Sequence, residues 1–217
     1  LLEILKNAFG TSTLETLDIS NYEGASLIFD LNKKIDIDKK FDTTIDIGTS
    51  YFIYDVKTCF KNIIDVTNIG GSIIHVLPSN NFCNLGFYQF SPDFFYELYS
   101  KKNGFMNTEV FVSNYSAIFF NNIYKLNLNN EKPRNLLPAK DELVIWVRTE
   151  KVKEVENLKL YPLTYQTNNN ESNINNTEVT KKNIFIRKKN TLYKVLRFCY
   201  YSLKIDFLKE LIYELKI

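Results

Sequence analysis

Four short apolar segments, each ending in a polar residue or a proline, most strongly constrain how this chain can fold. We interpret them as β-strands that end at Asp18, Asp30, Asp46 and Pro78. Amphipathic helical patterns cover residues 56–64 and begin again near residue 91. Strands that alternate with helices predict an α/β domain whose mainly parallel sheet is covered by helices on both faces. Ligands bind such sheets at the carboxyl ends of the strands, so we expect the four terminal residues to share one edge.

Glycine and proline residues predict where the helices begin and end. Gly70-Gly71 is expected to end the first helix, because paired glycines disfavour a continuing helix. Ser91-Pro92 has the cap and the first residue typical of a helix start, and Asn103-Gly104 is expected to end that helix. Two later strands, residues 108–113 and 143–147, are joined without an obvious long helix. We therefore expect these two strands to pair antiparallel.

Composition divides the chain into three parts. Hydrophobic residues make up 45% and charged residues 24%, as in globular proteins. No apolar run reaches the ~18 residues that a membrane span needs, so no transmembrane segment is expected. An Asn-rich stretch within residues 161–182 is predicted to be a linker. It joins an α/β domain, residues 1–160, to a basic amphipathic helical tail, residues 183–217.

The charge of the tail predicts a partner surface. Residues 181–217 hold 10 basic and 3 acidic residues, a net charge of +7, whereas residues 1–180 hold 17 and 22, a net charge of −5. An asymmetry of this size is typical of an interaction surface. The alternatives are packing on the chain's own domain, packing on a second copy in a homo-oligomer, and association with anionic lipid or nucleic acid.

The cysteines and the single histidine argue against disulfides and metal. Cys59, Cys83 and Cys199 are widely separated and odd in number, which favours a reducing, cytoplasmic location. Neither these residues nor His75 has metal-ligand spacing, so we expect no metal. His75 lies between Ile74 and Val76 in a predicted strand, which favours a structural role for its side chain.

Several segments resemble a group of bacterial class I S-adenosylmethionine-dependent methyltransferases. They are LDISNYEGASLIFDLN, FDTTIDIGTS, GGSIIHVLPSNNFCNLGFYQFSPDFFYELYSKKNGF and LLPAKDELVIWV, within residues 14–148, and GFYQFSP is the most specific part. The resemblance implies a Rossmann-like fold with an antiparallel strand near the C-terminal end of the domain. It also implies S-adenosylmethionine as cofactor and methyl transfer to a small-molecule or sugar-type acceptor. The alternative is a catalytically degenerate methyltransferase-like domain that serves as a binding or scaffold module.

The resemblance also implies a set of cofactor-binding residues. The matched positions are Asp18, Ile19, Asp30, Leu31, Asp46 and Gly48. Asp18 would accept hydrogen bonds from the ribose hydroxyls, for which a carboxylate has two suitable oxygens. Asp30 would face the adenine, and Gly48 would let the backbone approach the ligand closely. Both aspartates also suit a second interpretation, in which their side chains only form turns.

The positions matched to the acceptor side follow the fourth and fifth strands of the family. They are Thr49, Ser79, Asn80, Asn81 and Tyr88. An aromatic run around them either forms a lid over the substrate or packs on the core. Its members are Phe82, Phe87, Tyr88 and Phe90.

The chain departs from these relatives at three places. It contains no match to the first strand and the Gly-rich loop that packs on the methionine part of the cofactor, so the resemblance implies an N-terminally truncated domain. We therefore expect the 217-residue chain alone to bind S-adenosylmethionine weakly or not at all. Ser50-Tyr51-Phe52 stands where the relatives typically carry Leu-Glu-His, and Leu85 stands where they carry His. Methyl transfer is an in-line displacement on an activated sulfonium, so positioning alone can supply much of the rate. No catalytic residue is assigned from the sequence.

Overall fold

The computed structural model describes residues 11, 13–22, 24–115, 123–126 and 142–161. They belong to two compact units, one up to residue 30 and the other from residue 31 onward. The predicted basic tail, and the predicted linker beyond residue 161, lie outside the described residues.

In the first unit, two very short strands pair in parallel. These are β1, Leu17–Asp18, and β2, Leu27–Ile28. The backbone N–H of Phe29 donates to the carbonyl of Asp18 at 2.9 Å, which extends the pairing by one bond. Asp18 is therefore the last residue of β1, and Asp30 lies two residues after β2, near the carboxyl ends of two parallel strands.

The second unit contains a five-stranded mixed sheet. Its strands are β3, Phe41–Ile47; β4, Thr67–Asn80; β5, Phe105–Asn114; β6, Ile123–Leu126; and β7, Leu143–Lys151. The spatial order is β3-β4-β7-β5-β6. β3 and β4 are parallel, whereas β7 is antiparallel to both β4 and β5, and β6 is antiparallel to β5. The predicted antiparallel pairing of the strands near residues 108–113 and 143–147 is thus confirmed.

The prediction of a helix-rich Rossmann-like fold with a mainly parallel sheet is wrong for the described residues. They contain two short α-helices, α1, Val56–Asp65, and α2, Pro92–Leu98. Three of the four strand pairs in the described five-stranded sheet are antiparallel. The expectation of one sheet edge shared by all four strand ends fails as well, because β1 and β2 form a sheet of their own. A repeated apolar pattern predicts strands, but it does not specify which strands pair.

β4 is much longer than predicted, because the glycines and the proline do not interrupt it. Gly70-Gly71 lies inside the strand, and Pro78 pairs with Val144 of β7 instead of closing the strand. Gly71 is needed for close packing: a Cβ there would lie 2.9 Å from the carbonyl oxygen of Asn68 and 3.0 Å from that of Asp42. Here glycine permits neighbouring backbone to approach closely within a strand. A sequence pattern does not distinguish this role of glycine from its role at the end of a helix.

A buried lysine at the end of β7 makes the junction between α1 and β4. The ammonium of Lys151 donates to the carbonyls of Ile64 and Thr67, at 3.0 and 2.9 Å, and to Glu154 at 2.9 Å. The Thr67 hydroxyl donates to the carbonyl of Ile63 at 2.7 Å. These bonds satisfy the last carbonyls of α1, so the helix ends at Asp65 without a glycine.

The second predicted helix begins where expected and ends early. Ser91 is the cap residue and Pro92 the first helical residue, but α2 ends at Leu98. A short 3₁₀ helix, Lys101–Asn103, follows, and Gly104 then adopts a left-handed φ of 86°. Asn103 explains the break, because its amide donates to the carbonyl of Leu98 at 3.1 Å.

Aromatic side chains fill the core beside the sheet. The rings of Phe60 in α1 and Phe95 in α2 lie 5.9 Å apart, and Tyr99 lies 4.8 Å from Phe105 of β5. The imidazole of His75 lies between them, 5.2 Å from the ring of Phe60 and 5.3 Å from that of Phe95. Both helices thus enclose one residue of β4.

Candidate functional site

The carboxylate of Asp46 lies inside the protein and holds the turn that follows β3. Its Oδ1 accepts hydrogen bonds from the backbone N–H groups of Thr49 and Ser50, both at 3.2 Å. Its Oδ2 accepts from the Ser50 hydroxyl at 2.7 Å and lies 2.8 Å from Nδ1 of His75. Only 5% of Asp46 is exposed. The residue is therefore an internal anchor, because neither oxygen is left for a ligand.

His75 extends this anchor into the core. It pairs with Asp46 across the parallel strands, and its Nε2 lies 2.5 Å from the hydroxyl of Tyr99. His75 and Tyr99 are fully buried, which confirms that the histidine has a structural position. Its partners could not be predicted from the sequence, because Asp46 and Tyr99 are 29 and 24 residues away along the chain.

Burial and hydrogen bonds shift the pKa values of Asp46 and Tyr99, the two acidic groups bonded to His75, in opposite directions. Burial alone would raise the pKa of the Asp46 carboxyl, but hydrogen bonds from His75 and Ser50 hold it below its ordinary value. Burial, with the nearby Asp46 charge, raises the pKa of Tyr99 well above its ordinary value. Asp46 is thus ionised near neutral pH, and Tyr99 keeps its proton.

Gly48 makes the turn that Asp46 supports. Its φ of 74° lies in the left-handed region, and its N–H donates to the carbonyl of Val76 in β4 at 3.1 Å. A Cβ at this position would meet Tyr51 at 3.5 Å, an ordinary contact, so the requirement for glycine comes from the backbone conformation. The turn leaves Thr49 exposed at the carboxyl end of the parallel pair β3–β4.

The predicted acceptor residues at the end of β4 and directly after it divide into two groups. The Ser79 hydroxyl donates to the carbonyl of Phe90 at 3.0 Å, while the N–H of Phe90 donates to the carbonyl of Pro78. Ser79 therefore has a structural contact that ties the end of β4 to the loop before α2. Asn80 and Asn81 are exposed, and Asn81 has a left-handed φ of 62°.

The aromatic loop between β4 and α2 is attached to the residues after Gly48. The N–H of Phe87 donates to the carbonyl of Tyr51 at 2.8 Å, and the hydroxyl of Tyr88 donates to the carbonyl of Tyr54 at 2.8 Å. A Cβ on Gly86 would lie 2.2 Å from the ring of Tyr51. Gly86 therefore packs directly on Tyr51, and the two loops are held together.

The predicted aromatic lid separates into core and surface residues. Phe90 is buried in the aromatic core, whereas 66% of Phe87 is exposed. Phe87 meets Tyr54 edge to face, with ring centroids 6.2 Å apart, and 76% of Tyr54 is exposed. Phe52, next to Tyr51, is also half exposed. The sequence reasoning missed Phe52 and Tyr54, because nothing in their spacing distinguishes a surface aromatic from a buried one.

In the first unit, Asp18 is exposed and its Oδ1 accepts a hydrogen bond from the N–H of Ser20 at 2.9 Å. This contact is a local turn, yet the exposed carboxylate also fits the acceptance of ligand hydroxyls. Ile19 beside it is exposed, and Asp30 is half-buried. Leu31 belongs to the second unit and is buried there, with its carbonyl facing the amide of Asn62.

No family model, curated protein or solved structure matches this chain. The described residues contain no group of three or more His, Cys, Asp or Glu side chains that could hold a metal ion. Within the same part of the chain, no helix is long and apolar enough to cross a membrane. The function is therefore inferred from the chain's own residues.

Proposed function

We propose that this chain supports S-adenosylmethionine-dependent methyl transfer to a small-molecule or sugar-type acceptor. The observation that carries the proposal is the turn at Gly48. The turn follows a parallel strand, and the buried Asp46 carboxylate holds it by accepting a hydrogen bond from the N–H of Thr49. The Thr49 side chain is exposed beside β4. The carboxyl ends of parallel strands are where α/β proteins bind ligands, and a fixed turn there holds a ligand with little reorganisation.

The residues of this edge fit a reaction that depends on positioning. When bound, the cofactor supplies a methyl group already activated on a sulfonium. The backbone at Gly48 would approach it, while Thr49, Asn80 and Asn81 offer exposed polar groups to an acceptor. His75 is fully buried, so we assign it no direct role toward the acceptor, and the rate would come from alignment of the reacting atoms.

An assay of methyl transfer tests this proposal directly. The natural full-length protein is incubated with S-adenosylmethionine and panels of small-molecule and sugar acceptors, and the release of S-adenosylhomocysteine is measured. Gly48→Ala forces a side chain into a left-handed turn at the site, and we expect turnover to fall by about tenfold or more. Gly70→Ala is the matched control, because Gly70 has a similar φ of 83° within β4 and nothing within 4 Å of an added Cβ.

A catalytically degenerate binding module is the second candidate, and one contact favours it. Tyr51, one of the positions at which the sequence departs from the methyltransferases it resembles, packs against Gly86, so an aromatic ring stands where those proteins typically carry a polar residue. The two candidates differ in ligand binding. A folded full-length protein that binds neither S-adenosylmethionine nor S-adenosylhomocysteine at millimolar concentrations would favour the module and contradict methyl transfer.

A further inference from the structure

The buried chain Asp46–His75–Tyr99 has an arrangement of protons that follows from its contacts. Four groups face the Asp46 carboxylate: two backbone N–H groups, the Ser50 hydroxyl and Nδ1 of His75. A carboxylate with this many donors is stable as an anion even when buried. An anion at Oδ2 requires that Nδ1 of His75 carry a proton and donate it.

The hydrogen bond with Tyr99 indicates whether the other ring nitrogen of His75, Nε2, carries a proton. The hydroxyl keeps its proton because burial raises its pKa, and among the described residues its hydrogen-bond partner is Nε2 of His75. If Nε2 also carried a proton, the buried hydroxyl proton would have no acceptor, at a cost of roughly 1–3 kcal/mol. The hydroxyl therefore donates to Nε2, and the imidazole is neutral.

A neutral imidazole leaves the charge of Asp46 uncompensated. Among the described residues, the ion-pair geometry of Asp46 involves His75 alone. The negative charge affects its surroundings: burial, with the charges of Asp46 and Asp55 adding, raises the pKa of Cys59 to about 12. Burial chiefly, and Asp46 to a smaller extent, also raises the pKa of Tyr51, which borders Gly48.

We infer that the chain Asp46–His75–Tyr99 carries one net negative charge behind the Gly48 turn, and that this charge makes the proposed cofactor site prefer a cation. The inference rests on the proposed function and specifies it further. S-adenosylmethionine carries a positive sulfonium, whereas its demethylated product, S-adenosylhomocysteine, has a neutral sulfur there. A fixed, buried anion attracts the first ligand and not the second, which favours exchange of product for fresh cofactor.

The charge assignment is tested by nitrogen NMR of the untagged full-length protein near neutral pH. His75 is the only histidine of the 217 residues. Its ring signals are assigned as those that disappear from the spectrum of His75→Gln. We expect one protonated nitrogen, Nδ1, and one unprotonated nitrogen, Nε2. Two protonated ring nitrogens, or a proton on Nε2 alone, would overturn the inference without any ligand being present.

The cation preference is tested by calorimetry with S-adenosylmethionine and S-adenosylhomocysteine. Asp46→Asn removes the charge, and we expect the ratio of the two affinities to shift by about threefold to tenfold toward the neutral product. Ser50→Ala is the matched control, because it removes one hydrogen bond to Asp46 and keeps the charge, so the ratio should stay the same.

The outcomes separate this inference from the proposed function. If both ligands bind and Asp46→Asn leaves their ratio unchanged, the charge does not select the ligand and the inference is wrong. If neither ligand binds the wild-type protein, the proposed function fails, and the cation preference fails with it. If Asp46→Asn does not fold, Tyr99→Phe replaces it: without the hydroxyl donor, Nε2 is free to take a proton, the charge is neutralised and the same shift in ratio is expected.

Discussion

Asp18 and Asp46 have the same sequence context and opposite environments. Each comes at the end of an apolar run in a parallel strand. Asp18 is exposed and makes a local contact with Ser20, whereas Asp46 is buried and faces four donors. The difference comes from the neighbouring elements. β1 is two residues long and pairs with a strand of the same length, but β3 lies against the 14-residue β4, which supplies His75.

The role of a carboxylate at a strand end therefore depends on the neighbouring strand and on the side chains that this strand contributes. A short strand leaves the side chain to solvent and to ligands. A long, well-covered strand turns the same residue into part of the interior, where its hydrogen bonds shape the turn instead of holding a ligand. The following predictions test this distinction, in order of decreasing expected loss of stability.

Asp46→Ala should be the most damaging of these substitutions. It leaves the N–H groups of Thr49 and Ser50, the Ser50 hydroxyl and Nδ1 of His75 without their acceptor in the interior. We expect the free energy of unfolding to fall by about 3–5 kcal/mol, measured by urea denaturation. A loss below about 1 kcal/mol would mean that the carboxylate is not an anchor.

Two glycines extend the comparison to the backbone of the two units. Gly86 and Gly24 have nearly the same left-handed φ, 71° and 73°. A Cβ on Gly86 would collide with Tyr51, whereas a Cβ on Gly24 would meet nothing within 4 Å. We expect Gly86→Ala to cost about 2–4 kcal/mol of unfolding free energy and Gly24→Ala about 1 kcal/mol, from backbone strain alone. Equal losses would show that the two loops are not packed as described.

The free energy of unfolding at acid pH should depend on the ionisation of the Asp46 carboxylate. Its pKa in the folded protein lies below the ordinary value of 3.8. A group of this kind binds fewer protons when folded, so its contribution is complete above pH 3.8 and is lost as the pH falls through the lower, folded pKa. We expect unfolding measured between pH 5 and about pH 2 to show a steeper loss of stability for the wild type than for Asp46→Asn. Parallel curves would contradict an ionised, stabilising Asp46.

Asp18→Ala should have the smallest effect on stability. The side chain is exposed, and its described contact is a local bond to Ser20. We expect the free energy of unfolding to change by less than about 0.5 kcal/mol in the same urea titration. A larger loss would place Asp18 with Asp46 among the structural carboxylates.

The positions of individual strands could be predicted from local pattern, whereas the fold class could not. The apolar runs correctly indicate β1 to β5 and β7, and the absence of an obvious long helical pattern in the sequence between the last two predicted strands correctly indicates the antiparallel pairing of β5 and β7. The ends of β4 could not be predicted, because Gly71 serves close packing and the stop of α1 depends on Lys151, which lies 87 residues from Ile64. Sheet membership also escaped prediction, since it depends on contacts between distant segments.

The candidate site was predictable in its location along the chain and not in its side-chain roles. The Gly48 turn occurs where the strand pattern indicates it, and Thr49, Asn80 and Asn81 are exposed. The inward direction of Asp46 depends on a histidine and a tyrosine from other elements, and no spacing rule connects these three residues.

The affinity of the full-length protein for S-adenosylhomocysteine, compared between Asp18→Ala and Asp38→Ala, tests the central claim most directly. Both residues are exposed aspartates, but only Asp18 lies where the resemblance to methyltransferases implies ribose binding. We predict that Asp18→Ala weakens binding by about one to two decades, the loss of one charge-assisted partner worth roughly 1.5–3 kcal/mol, and that Asp38→Ala leaves it unchanged. Equal affinities for the two variants in calorimetry would contradict the account.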